Sequence, residues 1–188
     1  MQRIYLFLTI CFLLTNLYGQ SISLAPQFVY SIFDSRSNLE STSGYGINLE
    51  SKLSEQIAAA FLYKYIPTRQ KFSTPAGNNT IQINMHLYGL QFLTPMIRFN
   101  TESGTSIYAG AGGTTLKTAS RIIDLGALGK QRLASKSTTH FTYWAGLSGY
   151  YYIFPFLIVH IEPHIALIDI RGANYTNYIL AGGVALEL

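Results

Sequence analysis

Residues Gly44–Leu53 read GYGINLESKL. Tyr45, Ile47, Leu49 and Leu53 alternate with Gly46, Asn48, Glu50 and Lys52. A period of two is the mark of a strand whose faces meet different surroundings. One face is apolar, and the other is polar or small. The same pattern recurs outward in both directions from this stretch. Upstream, Ser21–Phe33 places Ile22, Leu24, Phe28, Tyr30 and Ile32 on one face. Downstream, Gln56–Ile66 sets Ile57, Ala59, Phe61, Tyr63 and Tyr65 against Lys64. Within Thr80–Phe99, Ile81, Ile83, Met85 and Leu87 oppose Gln82, Asn84, His86 and Tyr88, and Ile97 and Phe99 flank Arg98. Thr105–Leu116 is rich in small residues. Thr139–Tyr150 alternates Phe141, Tyr143, Ala145 and Leu147 with Thr142, Trp144, Gly146 and Ser148. Phe156–Ile170 and Asn174–Leu188 complete the series. In the last, Tyr178, Leu180, Val184, Leu186 and Leu188 oppose Asn177, Ala181, Ala185 and Glu187.

These eight segments run to about ten residues or more, the length a membrane-crossing strand needs, whereas strands of soluble proteins average nearer 5–6 residues. The composition points the same way. Of the 188 residues, 48% are hydrophobic and only 12% charged, so the chain lacks the polar groups that cover a water-facing surface. Aromatics make up 14%, with 14 Tyr and one Trp, a population suited to membrane interfaces. The gaps between segments alternate long and short: 34–43, 54–55, 67–79, 100–104, 117–138, 151–155 and 171–173. Outer-membrane barrels have short periplasmic turns and longer outer loops. The expected fold is therefore all-β: an eight-stranded antiparallel transmembrane β-barrel, an up-and-down meander with both termini on the periplasmic side of a bacterial outer membrane. Only the loop near Leu116–Leu128 carries a hint of helical periodicity.

Residues 1–19 read MQRIYLFLTICFLLTNLYG. Arg3, an apolar core from Ile4 to Leu14 and the small Gly19 make a secretory signal cleaved after Gly19. Its core is shorter than the roughly 20 residues of a spanning helix. Ile10 before Cys11 argues against a lipoprotein signal. The expected domains are thus 1–19, signal peptide, and 20–188, barrel. Cys11 is the only cysteine, so the mature barrel would use no disulfide. Net charge is +4, too small to argue for nucleic acid.

Several segments together resemble the PorT-like outer-membrane β-barrel domain family: Leu93–Phe99 (LTPMIRF), Ile107–Gly113 (IYAGAGG), Tyr143–Tyr150 (YWAGLSGY), Ile161-Glu-Pro163 and the closing Gly182–Leu188 (GGVALEL). The resemblance spans the mature chain. It implies an eight-stranded outer-membrane barrel and no particular reaction; some relatives assist secretion. The closing strand, apolar at every second position, also resembles the signal read by barrel-assembly machinery, although it ends in Leu188 where such signals often end in Phe.

The residues that could carry chemistry are few. His160, Glu162 and His164 are spaced by two and share one strand face, while Val159, Ile161, Ile165 and Leu167 share the other. Steps of two place these groups about 6.6 Å apart, too far for one small ion, so no metal and no cofactor is expected. His160 or His164 as base, Glu162 as its orienter and Ser148 as nucleophile would suit a lipid A deacylase-like enzyme. The alternative is a barrel-interior polar network of Glu50, Lys52, Lys64, Arg98, His160, Glu162 and His164, joined by Asn48, Trp144 and Glu187. This reading is preferred, because such interiors are polar and an eight-stranded barrel is filled by side chains. No solute pore is expected. His86 and His140 read as interior or loop-edge residues. Gly110, Gly112 and Gly113 read as barrel packing, since no helix with Lys-Ser/Thr follows to make a phosphate loop. Arg69, Lys71, Lys117, Arg121, Lys130, Arg132 and Lys136 gather in outer loops, beside Asp124. They are candidates for outer-loop contacts with lipopolysaccharide phosphates, outer-membrane lipid or a protein partner. Tyr150, Tyr151, Tyr152 and Phe154 read as an aromatic girdle near a periplasmic turn. The expected role is structural or interactive, with a lipid-modifying enzyme or a secretion-accessory barrel as alternatives.

Overall fold

A computed structural model describes residues 21–74, 77–170 and 173–188. The signal expected at 1–19 and most of the loop expected at 171–173 lie outside the described residues. Ten strands follow in chain order: β1 (Ile22–Phe33), β2 (Thr42–Lys52), β3 (Ala58–Thr74), β4 (Gly77–Arg98), β5 (Ser103–Thr118), β6 (Arg121–Asp124), β7 (Lys130–Leu133), β8 (Lys136–Phe154), β9 (Leu157–Ile170) and β10 (Ala173–Glu187). Eight of them close an antiparallel barrel in the order β1-β10-β9-β8-β5-β4-β3-β2. Strands β6 and β7 pair only with each other, as a hairpin inserted between β5 and β8. The seam runs from Ser23 opposite Glu187 to Phe33 opposite Asn177. Ile22 and Leu188 exchange backbone hydrogen bonds at its end.

The alternation divides the side chains as expected over most of the wall. Phe28, Tyr45, Ile47, Phe61, Leu90, Phe92, Ile107, Ile161 and Leu180 are exposed on the outside, while Gln27, Asn48, Lys64, Gln91, His160, Glu162 and His164 are buried inside. A large apolar exterior around a polar interior is the inverse of a soluble barrel. It is the arrangement a hydrocarbon solvent selects.

Three features of the wall depart from the sequence expectation. First, the gap expected at 67–79 is strand: β3 and β4 pair continuously from Ala58 opposite Leu93 to Thr74 opposite Gly77. With 22 residues, β4 reaches roughly 70 Å, far beyond a hydrocarbon core of about 30 Å. The half of this hairpin nearest its turn extends beyond such a core, and the composition of its faces reverses there. Ile66, Ile83, Met85 and Leu87 are buried inside the barrel, while Arg69, Lys71 and Gln82 are exposed outside. Second, the stretch Leu116–Leu128 holds no α-helix. It ends β5 and enters the β6–β7 hairpin, whose 3-10 turn at Gly126–Leu128 uses Gly126 and Gly129 at φ +66° and +82°. Third, β8 continues through Tyr152, so Tyr150 and Tyr152 line the lumen mouth. Only Tyr151 and Phe154, the latter stacked on Phe156 at 5.9 Å, remain outside as a girdle. A second aromatic ring, not anticipated, lies toward the other end: Tyr45 and Tyr65 meet at 5.0 Å, and the Tyr63 hydroxyl shares a hydrogen bond with His86. His86 therefore sits on the outer wall.

The small residues of β5 make room for Trp144. A Cβ on Gly110 would stand 2.5 Å from the Leu90 carbonyl oxygen and 2.6 Å from Trp144 Cε2. A Cβ on Gly149 would meet nothing nearer than Ile161 Cγ2, at 3.5 Å. Gly110→Ala should therefore destabilise the barrel by about 1–3 kcal/mol through overpacking, whereas Gly149→Ala should leave it unchanged. Gel mobility of unboiled samples across a urea series checks this; equal midpoints for the two variants would refute it.

Candidate functional site

The lumen is organised in layers. At the mouth that carries the seam ends, Lys52 is paired with Glu187, whose other oxygen accepts from the Tyr152 hydroxyl at 3.1 Å. Beyond it opens a cavity of about 560 Å³ lined in part by Asn48, Glu50, Ser148, His160 and Glu162. Gln27, 5% exposed, bridges its inner wall: the amide nitrogen donates to Glu162 Oε2 at 3.0 Å and to His160 Nε2 at 3.1 Å. Deeper still, Lys64 Nζ donates to His164 Nε2 at 3.4 Å. An ammonium has no acceptor capacity, so Nε2 accepts. In the neutral ring Nδ1 then carries the proton and donates to the Tyr108 hydroxyl at 2.9 Å. Trp144 donates to Gln91 at 3.0 Å, Thr142 to Thr114 at 2.7 Å and Ser31 to Asn177 at 2.6 Å. Leu62, Met85, Leu87, Val29 and Ile179 fill the space between these pairs. Packed side chains thus cross the lumen.

The structure brings together most of the network expected from sequence. Lys64, His160, Glu162 and His164 are buried in it, Glu50 is half-buried at the cavity wall, and Lys52 closes the mouth. Arg98 is a correction. A register shift between Pro95 and Ile97 adds one residue to β4, and Arg98 ends exposed at the cavity rim, with no ion pair among the described residues. Gln27, Tyr108, Gln91, Ser31 and Asn177 were missed. They are polar residues on the inward parity of their strands, so periodicity could have found their direction but not their partners.

The catalytic alternative is not assembled. A triad needs a histidine between the serine on one ring nitrogen and the carboxylate on the other. Here Gln27 and Glu162 both approach the same nitrogen of His160, the carboxylate at 3.9 Å. Both nitrogens of His164 are engaged by Lys64 and Tyr108. Ser148 lies opposite Ser106, and among the described residues no hydrogen bond joins it to either histidine. Nor does any group of three metal-ligating side chains converge among the described residues.

The basic residues collect at the opposite end. Arg69 and Lys71 project from β3, Lys117 from β5 and Lys136 from the start of β8, and all are exposed. Arg121 lies on β6, and Lys130 and Arg132 on β7. Lys71 pairs with Glu40 at 2.8 Å and by that hydrogen bond holds the Glu40 carboxyl below its ordinary value. Arg69, Lys117, Arg132 and Lys136 make no ion pair among the described residues. The loop between β1 and β2 is tied to this end by the Leu39–Gln70 bridge and the hydrogen bond from Thr68 to the Glu40 carbonyl, 2.6 Å.

A closed meander of eight long strands, apolar outside and polar within, defines a transmembrane barrel of the small outer-membrane type. No protein-family model matches the chain, and no curated protein matches it in sequence. Among solved structures it is similar to the outer-membrane protein OprG of Pseudomonas aeruginosa, with a TM-score of 0.58 at 8% identity, covering 89% of this chain and 95% of that one. It is also similar to outer membrane protein W of E. coli, at 0.49 and 12% identity over 89% and 97%. Ail of Yersinia pestis, solved with the heparin analogue sucrose octasulfate, gives 0.45 and 17% identity over 89% and 97%.

Lys64 is 1% exposed, and Glu162 is the carboxylate whose field acts on it. Lys64→Met should remove the donor to His164 and leave Glu162 uncompensated, at a cost of about 1–3 kcal/mol. Adding Glu162→Gln should recover part of that loss. Trp144, the only tryptophan, reports unfolding by its emission in a urea titration. A Lys64→Met barrel as stable as the parent would refute the network's contribution.

Proposed function

We propose that the chain is a non-enzymatic resident of the bacterial outer membrane that works by contact at its outer end, with residues 1–19 acting as a cleaved signal and both termini periplasmic. The observation that carries this reading is the water-exposed extension of the barrel. Strands β3 and β4 continue beyond the apolar belt, keep an apolar core of Ile66, Ile83, Met85 and Leu87 inside, and carry Arg69, Lys71 and Gln82 outside. A platform displaying cations, of which Arg69 is without an ion pair among the described residues while Lys71 is held by Glu40, suits an anionic partner, either the phosphates of lipopolysaccharide or an acidic protein surface. The order of the segments 93–99, 107–113, 143–150 and 182–188 supports membership of the PorT-like barrels. The alternating close of β10 supports handling by the barrel-assembly machinery.

Orientation is tested with Ala127→Cys, in the turn between β6 and β7. The sequence's single cysteine, Cys11, falls in the proposed signal. A membrane-impermeant maleimide should label this variant in intact cells, and the isolated outer-membrane protein should change gel mobility on boiling. Labelling only after permeabilisation would reverse the orientation, and a soluble protein without a mobility change would end the barrel reading. In vesicles, Arg69→Glu with Lys117→Glu should weaken binding of lipopolysaccharide at low salt by about tenfold, with the difference shrinking at high salt. Unaltered binding would remove the outer cations from the contact.

A further inference from the structure

The lumen cavity has properties that structural packing does not explain. It opens at the mouth carrying the seam ends, whereas the cations proposed as contacts lie at the other end. Asn48 lines it, is 3% exposed, and leaves its side-chain oxygen without a hydrogen-bond donor. Glu50, two residues along the same face of β2, also lines it and makes no hydrogen bond or ion pair among the described residues. Glu50 and Glu162 repel each other electrostatically. Glu162 accepts from Gln27 at one oxygen, and its other oxygen stands 3.9 Å from His160 Nε2, beyond hydrogen-bond distance.

The donors that could answer these oxygens are committed or distant. Lys52 is held by Glu187, Arg98 stands at the rim, and Lys64 lies deeper, on His164. An unpaired buried acceptor costs free energy until a donor reaches it, and two carboxylates lining one cavity favour a cation there. The volume, about 560 Å³, lies in the range of small-molecule sites.

We propose that this cavity is a binding site for a small organic ammonium, entering from the mouth where Ser21 and Glu187 lie, with Glu50 and Glu162 receiving the charge and Asn48 accepting a further N–H. An amine is favoured over a hard metal ion. Among the described residues no three acidic or histidine ligands converge, and an extended amine can reach acceptors set apart on β2 and β9. The site makes no use of the outer cations and stands whichever partner they bind.

The test is calorimetric titration of the full mature barrel in detergent, where both mouths are open. The probes are putrescine, its neutral diol analogue and magnesium chloride. Saturable binding of putrescine, none of the diol, and at least about tenfold weaker binding in Glu50→Gln is the expected result. Asn48→Ala serves as a second variant that leaves both carboxylates in place, and it too should weaken putrescine. Each variant is first shown to retain the boiling-dependent mobility of the parent, which separates loss of the site from loss of the fold. Absence of saturable putrescine binding would overturn the proposal, as would equal binding by both variants. Displacement of putrescine by magnesium at lower concentration would assign the cavity to a hard cation instead.

Discussion

Everything in this barrel depends on closing the seam between β1 and β10. In hydrocarbon no water is present to satisfy a backbone N–H or C=O, so a sheet can cross a membrane only if its edges meet. The register from Ser23–Glu187 to Phe33–Asn177 and the reciprocal bonds of Ile22 and Leu188 remove the two edges that a meander would otherwise leave. Closure also creates the lumen. Once eight strands meet, half of the side chains on the wall point into a space just wide enough to be filled by them.

That filling requires many polar partners, because the inward face of a strand whose outside meets lipid holds what is left of the polar residues. Lys64, His164 and Tyr108 form one chain of hydrogen bonds; Gln27, His160 and Glu162 form another; Trp144 with Gln91 and Thr142 with Thr114 close smaller gaps. The arrangement is a network of paired groups through most of the barrel. It stops being one at the cavity, where Asn48 and Glu50 face open volume. Single unpaired atoms also remain in the packed layers, on Gln27, Gln91 and Asn177; what sets the cavity apart is that its unpaired acceptors face open volume.

The chain also meets two exteriors. Around Phe61, Leu90 and Phe92 the outside is apolar, but around Arg69 and Gln82 it is polar and the apolar residues Met85 and Leu87 have moved inside. From Ala58 to Thr74 on β3 and from Gly77 to Leu93 on β4 the phase of alternation does not change; the composition of the two faces does. The tyrosines Tyr45, Tyr63, Tyr65 and Tyr88 and the ring of His86 lie at this change of solvent, where an amphipathic ring suits both sides.

Alternation in Gly44–Leu53 and its repeats was enough to read eight membrane-crossing strands, the inward direction of Lys64, His160, Glu162 and His164, and the packing role of the β5 glycines, because a period of two assigns faces directly from residue order. Periodicity could not say which face meets lipid where the solvent changes, so the outer half of β4 reads inverted. It could not see the extra residue between Pro95 and Ile97 that carries Arg98 to the rim, nor that Tyr150 and Tyr152 turn inward as β8 lengthens. Partners were also beyond it: Gln27 with Glu162, or Tyr108 with His164, join residues more than fifty positions apart through the lumen. Residue order determined the strands and their faces, since those are local properties of the chain. Only ring closure decided which inward groups meet and which, like Asn48 and Glu50, are left facing a cavity, since that depends on strands brought together across the barrel.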